Sequence, residues 1–257
     1  MEPIVEVTDV NVMRSNSLVI QQATFTINKG DYVGIVGPNG GGKTTIILAM
    51  LGFLPIQKGA IQLFGEHISS FSQWERVAYV SQGAINFDTT FPLTVRELVG
   101  LGRIHRGNIG RKLTTNDWEA VDESLEIMAV NDLAYKRIGN LSGGQKQRVF
   151  VAKALVRHPD VLLLDEPVAG IDATTLEKFY KTLSDLNEKK KLTIMIVSHD
   201  LSTVFCRMSK LICVNRQVYI SDITKDMDPN TILKKVYGEH FHFVFHEHAC
   251  EGVFNHD

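Results

Sequence analysis

The chain opens with short apolar runs broken by turn residues. Ile4–Val7, Thr24–Ile27 and Tyr32–Val36 are such runs, and Asn28-Lys29-Gly30-Asp31 separates the last two. This rhythm predicts β-strands. After the strand YVGIV comes a glycine-rich segment, Gly37 to Gly42, then KTTIILAMLGFL, apolar at helical spacing up to Pro55. Strand, glycine loop and helix in that order begin a βαβ unit. From about Leu93 to Val156 the period turns helical, through TVRELVGLGR, NDWEAVDESLEIMAV and GGQKQRVFVAKALVRH. The polar stretch His105–Thr115 between them predicts a surface loop. The α/β pattern then returns. VLLLDE and LTIMIVSHD are apolar runs with polar ends, as in buried parallel strands. TTLEKFYKTLSDLNEKK between them is an amphipathic helix, and residues 211–220 predict a closing hairpin. The reading is a helical insert in an α/β core.

Composition adds limits. With 257 residues and 44% apolar content, the chain has room for one large domain or two small ones. Lys and Arg total 27 and Asp and Glu total 29, a net charge of −2, so no nucleic-acid partner is expected. Three cysteines are too few and too scattered for a disulfide framework. No stretch approaches the roughly 18–20 apolar residues of a membrane span. The N-terminal MEPIVEVTDVNV reads as a strand rather than a signal peptide.

Three motifs carry chemistry. Gly37-Pro38-Asn39-Gly40-Gly41-Gly42-Lys43-Thr44, continued by Thr45, fits G-x-x-x-x-G-K-[ST], the P-loop. Its glycines let backbone N–H groups converge on phosphate oxygens, and the following helix adds its positive end. Lys43 is expected to reach the β- and γ-phosphates, and the Thr44 hydroxyl to bind Mg²⁺. VLLLDE supplies Asp165, a hard oxygen ligand for Mg²⁺, and Glu166, which can take a proton from an attacking water. Leu141-Ser142-Gly143-Gly144-Gln145 starts a second helix suited to an anion. One nucleotide does not need two such cradles. Two chains arranged head to tail would let each cradle serve the other's nucleotide.

From about Val5 to Val218 the chain resembles the nucleotide-binding subunits of ATP-binding cassette (ABC) transporters. GPNGGGKTT, LSGGQ and VLLLDEP stand in that family's order. The resemblance implies a P-loop NTPase α/β fold with an N-terminal antiparallel β subdomain and an inserted helical subdomain. Residues 1–88 and 157–222 would form the ATP-binding core, 89–156 the helical subdomain with the signature, and 223–257 a C-terminal tail. It also implies roles. Gln82 resembles the Q-loop glutamine that approaches Mg²⁺ and senses the membrane subunit, and His199 the switch histidine at the γ-phosphate. Ser142, Gly143, Gly144 and Gln145 would contact ATP in trans. Asp172 takes the D-loop position at the dimer seam. One position departs. The family usually stacks an aromatic residue on adenine near the place of Arg14, where this chain has only the Arg14 guanidinium or Met13 to offer.

The implied machine is a homodimer of cassettes on integral-membrane permease subunits, peripheral to the cytoplasmic face of the membrane. An extracytoplasmic substrate-binding protein delivers the cargo, and ATP with Mg²⁺ drives the cycle. LTVRELVGLGRIHRG resembles cassettes of metal, siderophore and cobalamin importers. DEPVAGID, with Ile171 before the D-loop aspartate, is closer to the zinc and manganese branch. Iron–siderophore or cobalamin uptake, and a soluble ATPase without a pore, stay open as alternatives. The tail GEHFHFVFHEHACEGVFNHD is a separate pointer. His240, His242, His246 and His248 alternate with Phe241, Phe243 and Phe245, so a strand would set imidazoles on one face. Neutral imidazoles suit Zn²⁺, and Cys250 would add a thiolate. The competing reading is a half-buried strand whose polar face happens to use histidine.

Overall fold

Alternation at the N-terminus produces two long antiparallel strands, β1 (Pro3–Arg14) and β2 (Ser17–Asn28). Ser15 and Asn16 both adopt positive φ, the signature of a two-residue turn matched to strand twist. The computed structural model describes residues 2–84, 86, 92–167, 173–224, 226–239 and 241. Next in chain order come β3 (Tyr32–Val36), α1 (Lys43–Met50), β4 (Ile56–Leu63), β5 (Glu66–His67) and β6 (Val77–Val80). Helices α2 (Val95–Gly100), α3 (Thr115–Ile127) and α4 (Gly143–Leu155) follow. The chain continues with β7 (Val161–Asp165), α5 (Ala173–Lys190), β8 (Thr193–Val197) and α6 (Leu201–Arg207). It ends with β9 (Lys210–Asn215), β10 (Gln217–Asp222) and α7 (Pro229–Tyr237). Asp172 and the tail histidines His240, His242, His246 and His248 lie outside the described residues.

Contacts divide the chain into two compact units, residues 1–72 with 193–257, and residues 73–192. In the first, β2, β1, β4 and β5 form an antiparallel sheet in that order. Beside it, β3 pairs in parallel with both β8 and β9, and β9 closes on β10 as an antiparallel hairpin. Every residue of β3 and β8 is buried, which is why these strands read as unbroken apolar runs. Ile4, Val7, Ile20 and Ile27 from the antiparallel sheet and Ile46 and Ile47 from α1 belong to its core. Helix α7 starts on the Asp228 cap with Pro229 in its first turn and buries Ile232, Leu233 and Val236.

In the second unit β6 pairs in parallel with β7, whose five residues are all buried. Helices α2, α3 and α4 pack on one another, and Val95, Leu98, Val121, Leu125 and Val149 on them are buried. Each begins with a reciprocal capping box: Thr94 with Glu97, Thr114 with Asp117, and Ser142 with Gln145. Arg103 bridges to the α3 cap, its Nε 2.8 Å from Asp117 Oδ1. The Asp117 carboxyl is held at about 2, below its ordinary 3.8, first by the Thr114 N–H and then by Arg103.

Candidate nucleotide site

The P-loop follows β3 in the first unit, and contacts rather than flexibility fix its shape. A Cβ on Gly37 would stand 2.0 Å from the Val214 carbonyl oxygen, and one on Gly41 2.8 Å from the same atom. The loop therefore rests directly on the end of β9, an approach only glycine permits. Gly41 also accepts from the Arg216 N–H at 3.0 Å. Lys43 is buried, 6% exposed, and its Nζ donates to the Gly37 and Pro38 carbonyls at 3.0 and 3.2 Å. The loop thus wraps its own lysine and holds the ammonium beneath the phosphate position. Helix α1 is capped by Gly42 at φ 109°, which has no side chain to occupy the first-turn N–H groups. Asn39 and Gly40 are exposed, Pro38 and Thr44 half-buried, and Thr45 buried. These features fit a bound polyphosphate.

His199 belongs to the same unit. Ile35 on β3 is in register with Val197 on β8, so the chain leaves both strands together, toward Gly37 on one and His199 on the other. Ser198 N donates to the Ile35 carbonyl at 3.1 Å. Asp200 then caps α6, accepting from the Thr203 N–H at 3.2 Å, and leaves His199 exposed at the strand's end. Met13 and Arg14 sit exposed beside the β1–β2 turn.

The second unit brings its own polar residues together by the same device. Val80 on β6 pairs with Leu164 on β7, so two residues further on Gln82 faces Glu166. Gln82 Nε2 donates to Glu166 Oε2 at 2.5 Å. Glu166 is held at φ 49°, a conformation that costs a side chain about 1 kcal/mol or more and recurs at functional positions. Asp165 is buried, 2% exposed, at the end of β7. Tyr79 Oη donates to its Oδ2 at 3.4 Å. Burial and the neighbouring Asp165 push the Tyr79 phenol up to about 12, so it remains a donor. Tyr79 was not singled out from the sequence. The available signal was its place in VAYVSQ, three residues before Gln82 and on the strand that pairs with VLLLD.

The signature also lies in this unit. Ser142 Oγ accepts from the Gln145 N–H at 3.3 Å, and Gln145 Oε1 accepts from the Ser142 N–H at 3.0 Å. Ser142 and Gln145 therefore cap their own helix, in addition to any ligand role. Open space lies beside Gly143, where an added Cβ would meet nothing within 4 Å. That opening keeps the helix N-terminus approachable by an anion. The loop, lysine and histidine thus lie in the first unit, and the glutamine, aspartate, glutamate and signature in the second. Among the described residues, no cluster of three or more His, Cys, Asp or Glu side chains could hold a metal ion.

Fold and loop together define a P-loop nucleotide-binding cassette. The chain belongs to the ABC transporter family, whose profile matches residues 20–169. It is 38% identical to the zinc uptake system ATP-binding protein ZurA of Listeria innocua, over 85% of each chain. It is 33% identical to the manganese transport system ATP-binding protein MntB of Bacillus subtilis, over 96% of this chain and 98% of that one. Among solved structures it resembles CbiO1 of Clostridium perfringens, part of the ABC transporter complex CbiONQ. That match has a TM-score of 0.76 at 27% identity and covers 93% of this chain and 92% of the other. As a family member the chain binds ATP and is an ATPase coupled to transport. Among the described residues no helix is long and apolar enough to cross a membrane.

Proposed function

We propose that this chain is the ATP-hydrolysing subunit of an importer for a divalent transition metal, zinc first and manganese second. The observation that carries the cargo is the similarity to zinc and manganese cassettes across most of the chain. In this reading the P-loop N–H groups and Lys43 hold the β- and γ-phosphates. Thr44, Gln82 and Asp165 are the oxygen donors for Mg²⁺, which would polarise the phosphates when bound. Glu166 accepts the proton of the attacking water, and His199 meets the γ-phosphate. Gln82 already engages the Glu166 carboxylate and can report its state to a membrane partner.

The signature of a second copy closes the site in trans through Ser142, Gly143, Gly144 and Gln145, with Asp172 at the seam. Two cassettes then sit on integral-membrane permease subunits at the cytoplasmic face, supplied by an extracytoplasmic binding protein. The test is radiozinc and radiomanganese uptake in a strain lacking the chain, complemented by the wild type or by Glu166→Gln. The wild type should restore uptake of zinc and the variant should not. Full metal uptake without the chain would end the import reading.

A further inference from the structure

Helix α7 lies beyond the stretch that the family profile matches, yet it reaches the phosphate loop. The route starts at the end of β9. Val36, the last residue of β3, is in register with Cys213, so Gly37 leaves its strand beside Val214. There the Val214 carbonyl stands too close for any Cβ on Gly37. Helix α7 packs on the same strand, and Asn215 Nδ2 pins its end by donating to the Val236 carbonyl at 2.8 Å. The next residue, Tyr237, is half-buried, and its hydroxyl accepts the Gly37 N–H. Gly37 is thus held by a strand carbonyl and by a phenol. The phenol is itself braced. Gly238 ends the helix at φ 100°, a backbone that favours glycine, and its N–H donates to the Lys234 carbonyl at 2.9 Å. The chain turns back so that the Phe241 N–H donates to the Gly238 carbonyl at 3.0 Å. The Phe241 ring then stacks on Tyr237, with centroids 4.7 Å apart and planes 21° apart.

We infer that Tyr237 is a positioning residue for ATP: seated by Asn215 and Phe241, it sets the direction of the first P-loop peptide through Gly37, so nucleotide affinity depends on how α7 is docked. An N–H engaged by Tyr237 is withdrawn from the phosphates, and its direction fixes the peptide plane from which the loop departs. The glycines that follow inherit that direction, because Gly41 rests on the same Val214 carbonyl. Tyr237 acts only through Gly37 and takes no part in proton transfer. Its share therefore falls on binding, equally in the ground state and the transition state, and not on the hydrolytic step. The inference needs only the ATPase activity and is independent of the cargo.

The test uses the full chain. Tyr237→Phe keeps the ring and its stack on Phe241 and removes only the hydroxyl. It should raise the KM for ATP about fivefold, the ordinary worth of one hydrogen bond, and leave kcat within about twofold, both read by phosphate release. The Gly37 amide proton should move upfield in the NMR spectrum as its acceptor is lost, while the thermal midpoint stays within about 2 °C. Phe241→Ala and Asn215→Ala loosen the seat and leave the hydroxyl in place. Each should raise the KM by about twofold to threefold. Lys235→Ala is the control, an exposed position on the same helix that keeps good helix propensity, and it should leave the KM unchanged. An unchanged KM or an unmoved Gly37 amide in Tyr237→Phe would overturn the inference. So would a fall in kcat at constant KM, or an equal rise in KM in Lys235→Ala, which would mark a general loosening of the helix.

Discussion

Gly37→Ala is the sharpest probe of how the nucleotide loop is built. The added methyl would stand 2.0 Å from the Val214 carbonyl oxygen, whereas ordinary contact begins near 3.4 Å. The difference, 3.4 less 2.0, is about 1.4 Å, and both sides of the clash are backbone, so no side chain can turn away. Displacement of a positioned group by about 1 Å costs on the order of a hundredfold. ATP affinity should fall by about that factor, which corresponds to roughly 2.7 kcal/mol. Titration with a fluorescent ATP analogue reads this directly, with thermal unfolding as a check that the fold survives. Gly40→Ala is the matched control. Its φ is +75°, but an added Cβ meets nothing within 4 Å. Only backbone strain of about 1–2 kcal/mol applies there. Its affinity should stay within about thirtyfold of the wild type. Wild-type affinity in Gly37→Ala, or a greater loss in Gly40→Ala, would refute the view that β9 sets the loop's shape.

Three further outcomes are expected. Glu166→Gln should bind ATP normally and hydrolyse it about a hundred to ten thousand times more slowly, measured by phosphate release; near-normal turnover would remove Glu166 as the base. Ser142→Ala removes the α4 cap and should cost about 1 kcal/mol in urea unfolding, while ATP binding to the separate chain persists. Because the folded Asp117 carboxyl sits at about 2 rather than 3.8, its stabilising effect is complete above the ordinary value and fades as pH falls from 3.8 toward 2. Urea midpoints across that window should decline, and Asp117→Asn should flatten the part owed to this group.

The strands and helices were legible because their burial follows their periodicity. VLLLD and TIMIV are buried at every position, and the sequence shows this as runs without a polar break. The 211–220 hairpin and the three helices of residues 93–156 were equally open, since each of those helices starts on a Thr or Ser followed three residues later by Glu, Asp or Gln. The pairing of Gln82 with Glu166 was not legible. It depends on the register between strands 84 residues apart, which no local pattern encodes. The left-handed backbone of Glu166 is hidden for the same reason, because nothing in the side chain announces it. Gln145 carries two readings at once, since S-x-x-Q is part of the family signature and also a plain capping pattern, and the structure shows the cap. Helix α7 went unnoticed inside the tail, its Asp-Pro start overlooked beside the histidines.

The floor of the P-loop carries a consequence for synthesis. The loop is made early, but the Val214 carbonyl and the Arg216 N–H on which it rests are made about 175 residues later. At roughly 5–20 residues per second, that is a wait of about ten to thirty-five seconds. Until then a nascent chain displays the glycine motif without the surface that shapes it. A fragment covering only the family's matched stretch, residues 20–169, lacks that surface altogether. Phosphate-binding competence is thus among the last properties the growing chain acquires, although its motif is among the first translated.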